Sequence, residues 1–216
     1  MPLYKTIKPN SQTTVKIWKI TESYTELIEP LDLKPTSLER VLGMKSQLHQ
    51  RGFLSVRHLL RDFGYTDQDL YYDDNGKPHL KDGKQISITH SFTFSGVIIS
   101  TSEIGIDIEK QREKIAIIAQ KFIGYESAYL LENDEAYIRK LTIIWGIKES
   151  LYKLFATPGM LFKEHFLVIP FMILDGETVA WIDYENKKYR YNTHFLEFEG
   201  FTCAYVLGDQ NNQRLL

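Results

Sequence analysis

Between residues 105 and 153 the hydrophobic period of the chain changes from two to between three and four, which dictates a strand followed by a helix. In Gly105-Ile106-Asp107-Ile108-Glu109, apolar and acidic residues alternate. A strand here puts Asp107 and Glu109 on one face and Ile106 and Ile108 on the other. Further on, Ile144, Ile147, Leu151 and Leu154 recur at intervals of three and four, the stripe that an amphipathic helix buries. Glu149 and Lys153, four apart, share a different stripe of that helix. If the helix packs beside the strand, three carboxylates converge with lysines around them. Such a cluster repels itself unless a cation neutralises it, and a hard, oxygen-seeking divalent ion is the simplest resolution.

With 216 residues, 43% of them hydrophobic, the chain can bury a core as one large domain or two small ones. Its 26 basic and 28 acidic residues give a net charge of -2, which argues against a general nucleic-acid or membrane-surface binder; any basic site is local. The lone Cys203 has no intrachain partner, and no Cys/His cluster has zinc spacing, so a reducing compartment fits. The start, Met1-Pro2-Leu3-Tyr4-Lys5-Thr6, lacks the layout of a secretion signal. No run approaches the roughly 18 apolar residues of a membrane span. A cytoplasmic protein without nucleic-acid or membrane partners is expected.

In chain order, residues 14–20 alternate as an opening strand with Val15 and Ile17 on one face. A short helical piece follows Ser23, and residues 38–63 read as one helix whose buried stripe is Leu42, Leu48, Phe53, Leu54, Leu59 and Leu60. That helix also carries Arg40, Lys45, Arg51, Arg57, His58 and Arg61, and a solvated face is the usual fate of such charge. Residues 73–80 form a turn by composition, and residues 85–100 read as two short strands bent near Ser95-Gly96. In their middle stands Thr89-His90-Ser91; a single histidine in a strand is more often structural than functional. Residues 110–134 are expected to be helical and loop-rich, and 136–155 to form the long helix, with Trp145 as an aromatic wedge against the sheet. Strands are expected over 166–174 and onward to 207, with turns at Asp175-Gly176 and Glu199-Gly200, and the polar tail from Gly208 is expected to fray. The order strand, helices, strands thus occurs twice, with openings about ninety residues apart. It suggests a diverged duplication: two α+β lobes meeting face to face, with a ligand cleft at the seam.

G-I-D-I-E followed about forty residues later by W-x-x-K-E-S-x-x-K, here Trp145 to Lys153, resembles the paired signature of the 4′-phosphopantetheinyl transferases, specifically the larger group whose single chain mimics a dimer. The first motif alone is unspecific; both in this order and spacing are specific. The resemblance implies an α+β fold of two similar lobes related by pseudo-twofold symmetry, each a small, mainly antiparallel sheet with packed helices. Residues 1–102 would form the lobe on the nucleotide side of coenzyme A, and residues 103–216 the lobe with the metal and catalytic motifs.

The implied reaction moves the 4′-phosphopantetheine arm of coenzyme A, the substrate, onto a serine of an apo acyl or peptidyl carrier protein and releases 3′,5′-ADP. By resemblance Asp107, Glu109 and Glu149 hold Mg²⁺, Lys148 and Lys153 stabilise the pyrophosphate oxygens, and Glu149, directly or through water, takes the serine proton. The stretch from Arg51 to Leu60 is similar to a family segment whose second arginine contacts the nucleotide end of the coenzyme, which gives that role to Arg57 first and Arg51 second. Gly76-Lys77-Pro78 resembles the family's G-K-P loop, which makes Lys77 a phosphate or adenine-side contact. The tract around His90 and Ser91 resembles the S-x-S-H-S segment that binds coenzyme phosphate, with Thr89 keeping the hydroxyl where serine is usual. The stretch from Ala156 to Leu161 departs from the family's K-G-x-G-L and keeps only Gly159. A built-in duplication completes the cleft within one chain, so a monomer is expected. Two other readings suit a carboxylate trio beside lysines: a Mg²⁺-dependent phosphohydrolase acting on a nucleotide or coenzyme pyrophosphate, and a non-catalytic module that binds coenzyme A or a carrier. The hydrolase would need no acceptor protein.

Overall fold

A computed structural model describes residues 2–208; the tail beyond Gly208 lies outside the described residues. The fold is α+β, with two antiparallel sheets and packed helices. The chain divides into two compact units, Met1–Thr101 and Ser102–Leu216.

In the first unit, β1 (Leu3–Asn10), β2 (Thr13–Lys19), β3 (Leu70–Tyr72), β4 (Pro78–Leu80), β5 (Gln85–Ser91) and β6 (Phe94–Ser100) form one sheet in the order β1-β2-β6-β5-β4-β3. The helices α1 (Tyr24–Ile28), α2 (Pro35–Gly43) and α3 (Gln47–Asp62) lie between β2 and β3 in the chain. At the start of α1, Ser23 Oγ accepts from the Glu26 backbone while Glu26 Oε2 accepts from the Ser23 backbone, so two otherwise orphaned donors are satisfied.

Three expectations are corrected here. The strand expected to open the chain is the second one. β1 pairs with it, and its exposed lysines and Pro9 mark an edge strand without the alternation of a half-buried one. The single helix over 38–63 is two helices broken at residues 44–46. Gln50 Nε2 donates to the Val41 and Met44 carbonyls at 3.2 and 3.1 Å, satisfying acceptors that the end of α2 leaves open. In α2 Val41 is buried and Leu42 is 63% exposed. The bend expected at Ser95-Gly96 is a hairpin turn at Phe92-Thr93 with Phe92 at φ +51°, and Gly96 pairs mid-strand with both Ile17 and Thr89.

In the second unit, β7 (Ile104–Lys110), β8 (Phe166–Val168), β9 (Glu177–Tyr184), β10 (Lys187–Phe198) and β11 (Phe201–Leu207) are ordered β7-β11-β10-β9-β8. Between β7 and β8 run α4 (Lys114–Ile118), α5 (Tyr137–Phe155) and α6 (Phe162–His165), with 3₁₀ turns at Ala119–Lys121 and Tyr125–Ala128. The strand expected over 166–174 stops at Val168; Pro170 cannot donate to a ladder, and Ile173–Asp175 is a 3₁₀ turn. On α5, Leu141, Ile144, Ile147, Leu151 and Leu154 are buried in one cluster with Phe166, Ala180, Ile182, Phe195 and Ala204. Each leucine, isoleucine or phenylalanine among them contributes about 1.5–3 kcal/mol when fully buried. No described helix is long and apolar enough to cross a membrane.

Leaving β1 aside, the order β2-β6-β5-β4-β3 repeats as β7-β11-β10-β9-β8. In each unit an opening strand precedes the helices and pairs with the last strand of a meander.

Candidate functional site

In the second unit α5 lies on the face of β7 and β11, and small residues set the distance. A Cβ on Gly105 would stand 1.9 Å from the Ser150 carbonyl oxygen, and one on Gly146 would stand 3.2 Å from Ala204 Cβ and 4.0 Å from Asp107 Oδ2. Ser150 Oγ donates to the Gly146 carbonyl at 2.7 Å and the Ala204 carbonyl at 3.1 Å, which pins the helix to β11. This approach carries Glu149 and Lys153 to the edge of β7. Lys153 Nζ donates to Asp107 Oδ1 at 2.7 Å and to the Ile106 carbonyl at 2.9 Å. Asp107 is buried, whereas Glu109 and Glu149 are half-exposed.

Glu149 registers the charge of the cluster. Burial pushes its carboxyl up, the Asp107 carboxylate adds to the rise, Lys153 partly opposes it and Glu109 adds again, to about 7. At Glu149, burial and the carboxylates of Asp107 and Glu109 thus outweigh the ammonium of Lys153. Among the described residues, no group of three acidic, histidine or cysteine side chains is arranged to hold a metal ion. Mg²⁺ asks for less: it is bound by one or two carboxylates, keeps several waters and takes the rest of its oxygens from phosphate. The carboxylate oxygens gathered here, and the acidic neighbours that raise Glu149, fit that ion.

Lys148 does not join this cluster, which corrects the expectation that it stabilises pyrophosphate oxygens. It is fully buried, 2.8 Å from Glu126 Oε1, and donates to the Phe122 and Phe162 carbonyls. Burial pushes its ammonium down and the Glu126 carboxylate pulls it back up. Glu126 in turn accepts from the backbone of Gly124 and Val168, so the pair ties α5 to the 3₁₀ turn before it and to β8. Trp145, expected as a wedge against the sheet, is edge-on to Phe122 at 5.0 Å and tilted on Phe162 at 5.3 Å, rings that follow the first 3₁₀ turn and open α6 rather than rings of a strand. Glu126 was missed because nothing in its surroundings has a helical or strand period.

In the first unit Arg57 is likewise turned inward, against the expectation that it meets the coenzyme. It is 3% exposed, with Nε 3.0 Å from Asp67 Oδ1, Nη1 on the Phe53 carbonyl and its guanidinium 3.5 Å from the centre of the Phe53 ring. Arg51 stands differently: Nη2 donates to the Ile20 carbonyl at 3.2 Å, and its buried Nε has no hydrogen-bond partner. The next residue, Gly52, leaves room for His90, whose ring would stand 3.0 Å from a Cβ there. His90 is exposed and Ser91 buried at the end of β5, with the His49 ring 6.3 Å from that of His90. Arg51, His90 and Ser91 are thus brought to one end of α3. Lys77 is on a separate element, the turn between β3 and β4, where its backbone donates to Asp73 Oδ1 at 2.9 Å. His49 and Gly52 were not singled out from the sequence; a glycine inside a helix full of long side chains was the available signal.

Residues 103–206 match the sequence profile of the 4′-phosphopantetheinyl transferase superfamily. Over 117 residues, 50% of this chain and 47% of the relative, the chain is 31% identical to enterobactin synthase component D of Salmonella typhimurium. Over 160 residues, 71% of this chain and 65% of the relative, it is 28% identical to 4′-phosphopantetheinyl transferase gsp of Aneurinibacillus migulanus. These alignments span 47% and 65%, less than two thirds, of the curated relatives' own length. The matched stretch contains β7, α5 and the cluster between them, so it is the second unit whose sequence is similar to the 4′-phosphopantetheinyl transferase superfamily.

Proposed function

We propose that this protein transfers the 4′-phosphopantetheine arm of coenzyme A to a serine hydroxyl of an apo carrier protein and releases 3′,5′-ADP. The observation that carries this reading is the cluster of Asp107, Glu109, Glu149 and Lys153 on β7 and α5, where burial and the neighbouring carboxylates outweigh Lys153 at Glu149. One or two carboxylates from among Asp107, Glu109 and Glu149 would hold Mg²⁺. When bound, that ion offsets charge on the diphosphate and on the departing bisphosphate. Lys153, 29% exposed at its side chain, is the lysine of the motif with its head group at this cluster.

In the transfer, the serine Oγ forms a bond to the β-phosphorus while the bond from that phosphorus to the bridging oxygen breaks, so 3′,5′-ADP departs with the bonding pair. The serine proton goes to Glu149 or to water beside it. Positioning and charge neutralisation carry most of such a reaction, so the base need not be strong. In the first unit, Arg51, His90 and Ser91 are assigned to the nucleotide end of the coenzyme, with Lys77 as a further phosphate or adenine-side contact. Arg51 takes the place first given to Arg57 because its Nε is unpartnered, whereas the Arg57 guanidinium is occupied by Asp67.

The test is intact mass spectrometry of apo fatty-acid, polyketide and peptide carriers incubated with coenzyme A, Mg²⁺ and this protein. A mass gain equal to the arm, lost when the carrier serine is replaced, is the expected result. Release of nucleotide or phosphopantetheine at the same rate without a carrier would instead identify a hydrolase.

A further inference from the structure

On the helix side of the second sheet, polar residues continue past Glu109. Gln111 Nε2 donates to Glu197 Oε1 at 2.5 Å and to Thr202 Oγ1 at 3.0 Å. Thr202 is the cross-strand partner of Glu109 on one side and of Glu197 on the other. The Glu197 carboxylate also receives Arg139 Nε, at 3.0 and 3.2 Å to its two oxygens, and Arg139 Nη2. Arg139 is in the first turn of α5. One carboxylate therefore joins the start of the helix to the residue just beyond β7.

The placement matters because α5 runs antiparallel to β7. Ser150 lies against Gly105, Gly146 beside Asp107, and Arg139 is linked through Glu197 to Gln111. At one end the spacing of helix and strand is fixed by the close Gly105–Ser150 approach. At the other end the link through Glu197 fixes it. Asp107 and Glu109 fall between the two fastenings, and Glu149 is on the same helix. An ion pair with a half-exposed arginine adds little to stability, so a carboxylate engaged by both the helix and the strand extension is better explained by geometry.

We propose that Glu197 is a positioning residue: through Arg139 and Gln111 it holds α5 against the end of β7 and sets the spacing of Glu149 from Asp107 and Glu109. This rests on the metal reading above. Groups hydrogen-bonded directly to metal ligands typically change metal affinity by roughly 10–100-fold when removed, and Glu197, which acts through Arg139 and Gln111, stands at the low end of that range.

The test is manganese binding to the full chain without coenzyme or carrier, read from the electron paramagnetic resonance of free Mn²⁺. Glu197→Ala and Arg139→Ala are each expected to weaken binding about tenfold, and the double variant no more than either single one. Glu197→Gln, which keeps an acceptor for Gln111 but loses the charge, falls between. The exchanged pair, Arg139→Glu with Glu197→Arg, regains most of the loss, because it rebuilds the link and Gln111 can accept through Oε1. An unchanged manganese affinity in Glu197→Ala, with or without a lowered unfolding midpoint, overturns the positioning role. If the unaltered protein binds no manganese, or its binding survives Asp107→Asn, the metal assignment fails and the positioning role with it.

Discussion

The two units share a strand order and differ in what their opening strand presents to its helices. In the first unit the positions of β2 that face α3 hold Lys16 and Trp18. Lys16 pairs with Asp62 at 2.6 Å and lies over Phe63, and Trp18 stacks on His58 at 5.4 Å. In the second unit the corresponding face of β7 holds Asp107 and Glu109 beside Glu149. The same scaffold thus satisfies its charges in one half and concentrates acid in the other. Both long helices also bury one cation within their own unit, Arg57 on Asp67 and Lys148 on Glu126. Arg57 and Lys148 are closed off inside the fold, whereas Lys153 and Glu149 stay half-exposed beside β7.

The contrast is tested most strongly at Glu149. Replacing it by glutamine is expected to reduce transfer by roughly a hundredfold or more, the scale of lost charge stabilisation in a preorganised site. In metal-free buffer at pH 8 the same variant should unfold no earlier than the unaltered protein, because repulsion from Asp107 and Glu109 is relieved. An earlier unfolding midpoint would make Glu149 a structural residue like Lys148. Next come the buried cations. Lys148→Met and Arg57→Met each strand a buried carboxylate, and each is expected to cost about 3–5 kcal/mol in urea unfolding. If one of them costs less than about 1 kcal/mol, the likeness of the two pairs fails.

Gly105→Ala forces α5 off β7 by pushing a methyl group into the Ser150 carbonyl. About 1–3 kcal/mol of stability should go, the cost of overpacking, and manganese affinity should fall with it. Acidity offers a gentler probe. Glu149 is raised from an ordinary 4.5 to about 7, so its neutral form favours the folded state. Its contribution is present below about 4.5 and drains away as pH climbs to about 7. Thermal unfolding in a chelator should show that decline, and Mg²⁺ should flatten it. The smallest effect concerns helix ends: beyond the end of α3 stands Gly64 at φ +88°, whereas α5 ends on Ala156 at φ +50°. Ala156→Gly gives the second helix the same ending and should raise stability by about 1 kcal/mol in the same urea assay.

What could be read from the sequence was whatever the period controlled. The alternation of β7 and the stripe of α5 located both elements and the carboxylates that meet between them. The direction of single charges was not legible from motifs, although the stripe held a clue: Lys148 is four residues after Ile144 and three before Leu151, and Arg57 four after Phe53 and three before Leu60. Both occupy positions where a helix turns inward, and both are buried. The helix break at 44–46 depends on a side chain, Gln50, that reaches back to carbonyls of the preceding helix, and no local propensity records that. β1 escaped because an exposed edge strand needs no alternation. The network of Gln111, Glu197 and Arg139 spans three distant segments, which a chain read in order cannot bring together.

The Gly105–Ser150 contact also bears on how such a protein can drift. Where one missing carbon atom sets a separation, neither partner can vary alone, since any substitution on the strand demands a compensating displacement along the whole helical rod. Substitution libraries spanning both segments should therefore recover tolerated replacements at 105 only in company with changes near 146 and 150, a correlation that sequencing of survivors would reveal.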